Sequence, residues 1–288
     1  MRQSTLDSDR DPAKAEIRTV RISARGRSLS GELRELWQYR SLLSQMVRRD
    51  LMVRYKQTII GAAWAIVQPA ASMVLFTLFF GKLAGLASDG LPHPLFYYAG
   101  LVPWMYFAGA LQGATASVVD YQRVITKVYF PKMLLPMSAV IPGLLDAFIA
   151  GSLLLVLLVV YHVQWTPALL LTPLLMIAAA AVALAIGLWL SALNAMYRDV
   201  RHIIPFLVQL WMFATPVVYP SSLVPTQWRI LYALNPMVGI IDTFRWAVTG
   251  AGQPAWESLA VAMVVTMVLL SSGAVLFERI AQTIADVV

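Results

Sequence analysis

The chain is predicted to be an all-α polytopic membrane protein with six transmembrane helices and both termini in the cytoplasm. Three observations carry that expectation. Mean hydropathy is +0.69 and 13% of residues are charged, against about a quarter in an ordinary water-soluble domain. Residues 59–277 are mostly long apolar runs joined by short polar gaps. Thirteen of the 22 lysines and arginines precede residue 57, and most of the others fall in alternate gaps.

A helix needs about 20 apolar residues to cross the hydrocarbon core. Six stretches meet or approach that length: Ile59 to Gly81, Leu95 to Val119, Met133 to Tyr161, Ala168 to Met196, Ile203 to Tyr219 and Ser258 to Phe277. With the amino terminus inside, the thirteen early cations share one side with Arg123, Lys127, Lys132, Arg198, Arg201 and Arg279. Only Lys82, Arg229 and Arg245 fall opposite. The positive-inside rule therefore favours this orientation.

Taken in order, residues 1–30 read as a flexible cytoplasmic tail, arginine-rich and lacking the apolar core of a secretory signal. Residues 31–56 read as an amphipathic interface helix. Ser30 can cap it, Glu32 and Glu35 suit its first turns, and Leu33, Leu36, Trp37, Leu43, Met46, Val47 and Leu51 recur near helical spacing. A basic linker is the plainer alternative. Residues 57–288 form a single transmembrane domain. Within it, Asp120 can cap a short helix that Pro131 ends, with Val124, Ile125, Val128 and Tyr129 on one face and Arg123 and Lys127 on the other. Such a helix either docks a cytosolic partner or only fixes sidedness.

The gap at 220–257 is long yet apolar. Its pieces, too short to span, are broken by Pro225, Asn235-Pro236 and Gly250. Broken helices at membrane depth need protein or a watery cavity to satisfy their backbone ends, so this region reads as a re-entrant helical hairpin between the fifth and sixth spans. Asp242 and Arg245 stand three apart, close enough on a helix to pair.

Asp146, well inside the third span, is an intramembrane ionisable residue and hence a functional candidate. Alternatively it satisfies the backbone defect that Pro142-Gly143 creates. The aromatic residues crowd the second and fifth spans, with Trp64 in the first. They serve either as interfacial belt and packing or as flat surfaces for sugar rings in a channel.

Enzyme chemistry finds little support. The histidines His93, His162 and His202 are scattered, Asp120, Asp146, Asp199 and Asp242 lie far apart, and there is no cysteine. Gly81-Lys82 lacks the glycine five residues earlier and the following Ser or Thr of a phosphate-binding loop. Any ATP that powers the protein is bound by another chain. A pI near 9.8 reflects cations beside an apolar span, which orient the chain and meet anionic lipid rather than nucleic acid.

Four segments carry a family resemblance: RRDLMVRYKQTIIGAAWAIVQP at Arg48 to Pro69, ITKVYFPKMLLP at Ile125 to Pro136, YRDVRHIIPFLVQLWMFATPVVYP at Tyr197 to Pro220 and LYALNPMVGIIDTFRWAVTG at Leu231 to Gly250. Together they resemble the permease subunit of bacterial polysaccharide ABC exporters, which secrete O-antigen, capsule or teichoic acid through the cytoplasmic (inner) membrane. The resemblance implies a homodimer around a channel, paired with a cytosolic ATP-binding cassette dimer that holds ATP and magnesium, and a lipid-linked polysaccharide as cargo. No cofactor is expected in this chain.

The resemblance also implies a coupling helix near 120–131 with Arg123, Lys127, Tyr129 and Pro131, a gate helix at 31–56, and outer gate helices near 228–250 with Asn235, Pro236, Asp242 and Arg245. Trp64, Trp104, Tyr106, Trp211 and Phe213 are its channel candidates. Arg48, Arg49, Arg54 and Lys56 are candidates for attracting the carrier's diphosphate, although sidedness alone explains the same cations. The competing readings are an ABC permease for a drug or small lipid and a membrane-embedded glycosyl or prenyl transferase.

Overall fold

A computed structural model describes residues 35–56, 61–125, 129–197 and 199–287, with side chains to Ile280. The tail at 1–30, Leu33 and Lys127 lie outside the described residues. Every regular element among them is helical.

Helix α1, Arg40–Lys56, is preceded by a helical turn closed by Tyr39 N–H to Glu35 O (3.2 Å) and Leu43 N–H to Tyr39 O (3.1 Å). Helix α2, Trp64–Phe76, continues into a π-helical turn at Thr77–Leu83. Helix α3, His93–Asp120, follows. At 28 residues it is roughly 42 Å long; Leu95 to Trp104 are buried on every side, and only along its second half does one face, with Gly109, Gln112 and Asp120, stay open. The aromatic crowd on it is therefore core rather than an interfacial belt: Phe96, Tyr97, Tyr98 and Phe107 are fully enclosed. Its polar Thr115 and Ser117 bond back to the Leu111 and Ala114 carbonyls, each at 2.7 Å.

Helix α4 is the short Gln122–Ile125. The predicted third span divides into α5, Leu134–Val140, and α6, Gly143–Val160. Pro142 has no N–H to continue the ladder, so the break falls at Ile141-Pro142. Helix α7, Thr172–Met196, lays Ala179, Val182, Ala183 and Gly187 against the core. A Cβ at Gly187 would come 2.6 Å from that of Ala114, the close approach that small residues allow between membrane helices. Asn194 also donates to the Thr115 carbonyl at 2.9 Å.

Helix α8, Val200–Phe213, is shorter than the predicted fifth span. Its 14 residues reach roughly 21 Å, by themselves short of a crossing, and the chain continues as non-helical backbone whose residues 215–218 are buried. Pro216 disfavours helical geometry at Thr215, which ends the helix there. After short turns come α9, Arg229–Ala233, and α10, Pro236–Thr249, then α11, Trp256–Val287. Asn235 caps α10 by accepting from Met237 N–H, and Gly250 closes it at φ 66°, a left-handed position that glycine takes without strain.

Among the described residues, four stretches are long and apolar enough to cross a membrane: Gly61–Leu83, Leu134–Val160, Pro167–Met196 and Trp256–Ile280. The chain is thus a polytopic helical membrane protein built around α3. Smaller packed clusters close the two ends. One contains Met46, Tyr121, Phe130, Leu134 and Phe277 beside α1; the other contains Leu95, Tyr98, Leu154, Phe244 and Val248 beside α10.

Candidate functional site

At the α1 end, Leu36, Leu43 and Met46 of the predicted stripe pack onto the cluster around Tyr121 and Phe130. Trp37 does not: it is 69% exposed with the Arg40 guanidinium 5.2 Å from its ring. The segment linking α3 to α5 is held to α1 at both of its edges. Tyr121 donates to the Asp50 carboxylate at 3.0 Å, while the Arg49 guanidinium lies 4.4 Å from the Tyr121 ring and pairs with Asp50 at 2.9 Å. Burial, followed by the Asp50 charge, pushes the Tyr121 phenol up to about 12, so it remains a donor at physiological pH. At the other edge the Tyr129 hydroxyl lies 3.5 Å from the Glu35 carboxylate.

Several predicted details change here. Asp120 is the last residue of α3 rather than a cap, and it pairs with Arg201 at 3.6 Å. Val124 and Tyr129 are exposed whereas Ile125 packs inward, so these residues do not form one apolar face. Arg123 is exposed beside Val124, and Pro131 offers its carbonyl to Leu134 N–H at 3.0 Å, setting the start of α5.

The four cations Arg48, Arg49, Arg54 and Lys56 are all on exposed positions of α1, but they are not one patch. Arg49 is engaged by Asp50 and Tyr121, whereas Arg54 donates to Asp146, and so does Tyr55. Burial, then Asp146, pushes the Tyr55 phenol up to about 12.

The five aromatic candidates do not share a surface either. Trp64 and Phe213 are 53% and 47% exposed. Trp104 and Tyr106, at 3% and 5%, are enclosed in the core; this corrects their assignment to a channel wall, because enclosed rings have no face left for a sugar. Tyr106 donates to the Val140 carbonyl at 3.4 Å. Trp211 joins the two environments, standing edge-on to Trp104 at 6.4 Å and to Phe107 at 5.3 Å. Around Phe213, α8 also exposes Ile203, Phe206, Leu207 and Leu210.

At the other end, Arg245 is 7% exposed. It pairs with Asp242 at 3.2 Å as the spacing predicts, donates to the Pro216 carbonyl at 2.5 Å and stacks 3.9 Å from the Phe96 ring. Ser221 donates to Asp242. Asn235, besides capping α10, donates to Ala214 O at 3.1 Å and Thr215 Oγ1 at 2.9 Å, and Pro236 is the first residue of that helix. All four predicted hairpin residues thus belong to one assembly tying α10 to residues 214–221. Sequence reasoning missed Asp50, Tyr121, Phe96 and Ser221. Their partners lie far along the chain, and only the adjacent Arg49-Asp50 pair hinted at a local charge contact.

Among the described residues, no group of three or more His, Cys, Asp or Glu is placed to hold a metal ion. The arrangement is that of a polytopic membrane bundle with a clipped-on helix at one end and a buried broken-helix assembly at the other. The chain belongs to the ABC-2 type transporter family, whose model matches residues 41–249. It is 33% identical over 258 residues to the O-antigen export system permease protein RfbA of Myxococcus xanthus, covering 88% of this chain and 98% of the relative. An RfbA of Klebsiella pneumoniae is 23% identical over 250 residues (85% and 94%). The polysialic acid transport protein KpsM of Escherichia coli is 23% identical over 238 residues (80% and 90%).

Proposed function

We propose that this chain is the transmembrane subunit of an ATP-driven exporter that moves a lipid-linked polysaccharide of the O-antigen kind across the bacterial inner membrane. The observation that carries the reading is its likeness, over 98% of the relative's length, to a permease named for O-antigen export, within a family match spanning most of the chain. A relative named for polysialic acid transport, aligned over 80% of the chain, supports glycan rather than drug as cargo.

In this reading α3 and α8, the latter extended by residues 214–220, join the four long apolar stretches to make six crossings, with both termini inside. Two copies enclose the path, and the exposed α8 surface around Phe213 together with Trp64 and Trp211 faces it. The segment at 120–131 meets a cassette subunit that binds ATP and magnesium, with Arg123, Lys127 and Tyr129 as the candidate contact residues. Helix α1 lies at the cytoplasmic face, where Arg48 and Lys56 attract the carrier's diphosphate by charge. The α10 assembly closes the outer end.

The test is co-purification of the tagged chain with its genomic neighbours, followed by ATP hydrolysis and cell-surface glycan measurements. A stable complex whose hydrolysis falls on Arg123→Ala and Tyr129→Ala, with surface glycan lost, supports the reading. A chain that purifies without any ATPase, or cells that keep their surface glycan without it, would sink it.

A further inference from the structure

Asp146 stands well inside a span and demands a physical account. It is 12 residues beyond the start of α5, roughly 18 Å along the helical path, where an unpaired carboxylate is costly. A backbone defect at Pro142-Gly143 does not explain it. That break is closed by main-chain bonds, Leu144 N–H to Ile141 O and Leu145 N–H to Pro142 O, both 3.1 Å. The two carboxylate oxygens of Asp146 turn instead to α1: Oδ2 accepts from Arg54 Nη1 and Oδ1 from the Tyr55 hydroxyl. Both donors belong to the last turn of α1, and Asp146 is in the first turn of α6, just past the break.

Helix α1 is therefore fastened to the bundle's polar groups at three levels. Glu35 and Asp50 engage Tyr129 and Tyr121, on either side of the segment that links α3 to α5; Arg54 and Tyr55 engage Asp146 beyond the break. From Glu35, in the turn that precedes α1, to Arg54 in its last turn the helical path is roughly 29 Å at 1.5 Å per residue. With the Asp146 contact the last turn of α1 is fastened to α6; without it α1 keeps its contacts at Glu35 and Asp50, and the turn beyond Asp50 swings free of the third span.

We infer that Asp146 is a positioning residue for transport: it holds the final turn of α1 against the broken third span, so that movement of the 120–131 segment is carried through α1 to the α5–α6 break. The inference rests on the reading that this segment meets the ATP-binding partner. Asp146 itself touches no cargo in this scheme. It acts through Arg54 and Tyr55, and the break supplies the hinge on which α6 tilts.

The chain has no cysteine, so spin labels attached at Val53→Cys and Val156→Cys before the partner is added report the separation of α1 and α6 without background from this chain. In the reconstituted complex with its ATP-binding partner, nucleotide shifts that separation. With Asp146→Asn the distribution broadens, the nucleotide-dependent shift disappears, and export falls on the order of tenfold while ATP hydrolysis is nearly unchanged. Asp146→Glu recovers most of the export, and exchanging the charges with Arg54→Asp and Asp146→Arg recovers part. Narrow, nucleotide-responsive distances and full export in Asp146→Asn would overturn the inference. So would equal losses of yield, hydrolysis and export that Asp146→Glu does not mend, which mark a purely structural contact. If the unsubstituted complex neither hydrolyses ATP nor exports, the functional reading itself falls, and the transport role with it. A label distance that still depends on Asp146 would then leave only the tether standing.

Discussion

At the α10 end, backbone meets backbone: a Cβ on Gly239 would come 2.4 Å from the Ser258 carbonyl oxygen, and Arg245 is enclosed by Asp242, Pro216 and Phe96. At the α1 end the polar contacts instead lie at half-exposed positions. Asp50 and Arg54 keep 27% and 48% of their side-chain surface accessible, and each contact joins two otherwise separate elements. The contrast teaches where movement is cheap. Enclosed ionic and backbone contacts break only with unfolding, because the groups left behind cannot rehydrate. Half-exposed polar clips exchange with water and can open and reclose.

The comparison breaks most visibly at Arg245. Arg245→Ala strands the Asp242 carboxylate and should cost about 3–5 kcal/mol, read as a collapse of the thermal transition in detergent. Replacing both partners with Asp242→Leu and Arg245→Met should cost clearly less, since no charge is then left unpaired. Gly239→Ala forces α10 away from α11 and is expected to cost about 1–3 kcal/mol, again by thermal unfolding.

At the α1 end, Tyr121→Phe removes the hydrogen bond donated to the half-exposed Asp50 carboxylate and the one accepted from Arg49. A stability loss of about 1 kcal/mol is expected, with export reduced more than ATP hydrolysis. The sign of its pH dependence sharpens the comparison. A phenol raised to about 12 from an unfolded value of about 10 keeps its full stabilising effect below pH ~10 and loses it between pH ~10 and ~12. The Tyr121→Phe chain should therefore show a flatter alkaline decline than the parent. Trp37→Ala, at an exposed position touched mainly by Arg40, should change stability by less than about 0.5 kcal/mol.

Local features were legible in the sequence and distant ones were not. The apolar stretches, the divided third span, the hairpin breaks at Asn235-Pro236 and Gly250, and the Asp242–Arg245 pair all follow from spacings of a few residues. The Tyr121–Asp50 and Asp146–Arg54 contacts join residues 71 and 92 positions apart, and periodicity carries no information at that range. The aromatic residues of α3 misled for another reason: an interfacial belt, a channel wall and a packed core all enrich the same side chains. Only the neighbours that enclose Trp104 and Tyr106 decide among the three. The end of α8 was signalled by Thr215-Pro216, but the apolar run through Val217 and Val218 masked it, since buried irregular backbone reads like a span.

The π-helical turn at Thr77–Leu83 gives the first span a tolerance the others lack. A π turn holds one residue more than an α turn needs, so deleting a single residue there lets the ladder relax into ordinary α geometry while the flanking faces keep their bearing. The same deletion in α3 would swing every later side chain by about 100° and turn its buried face out of register with the neighbours it packs against. Length variation among related chains should therefore be absorbed at the end of α2 and refused along α3.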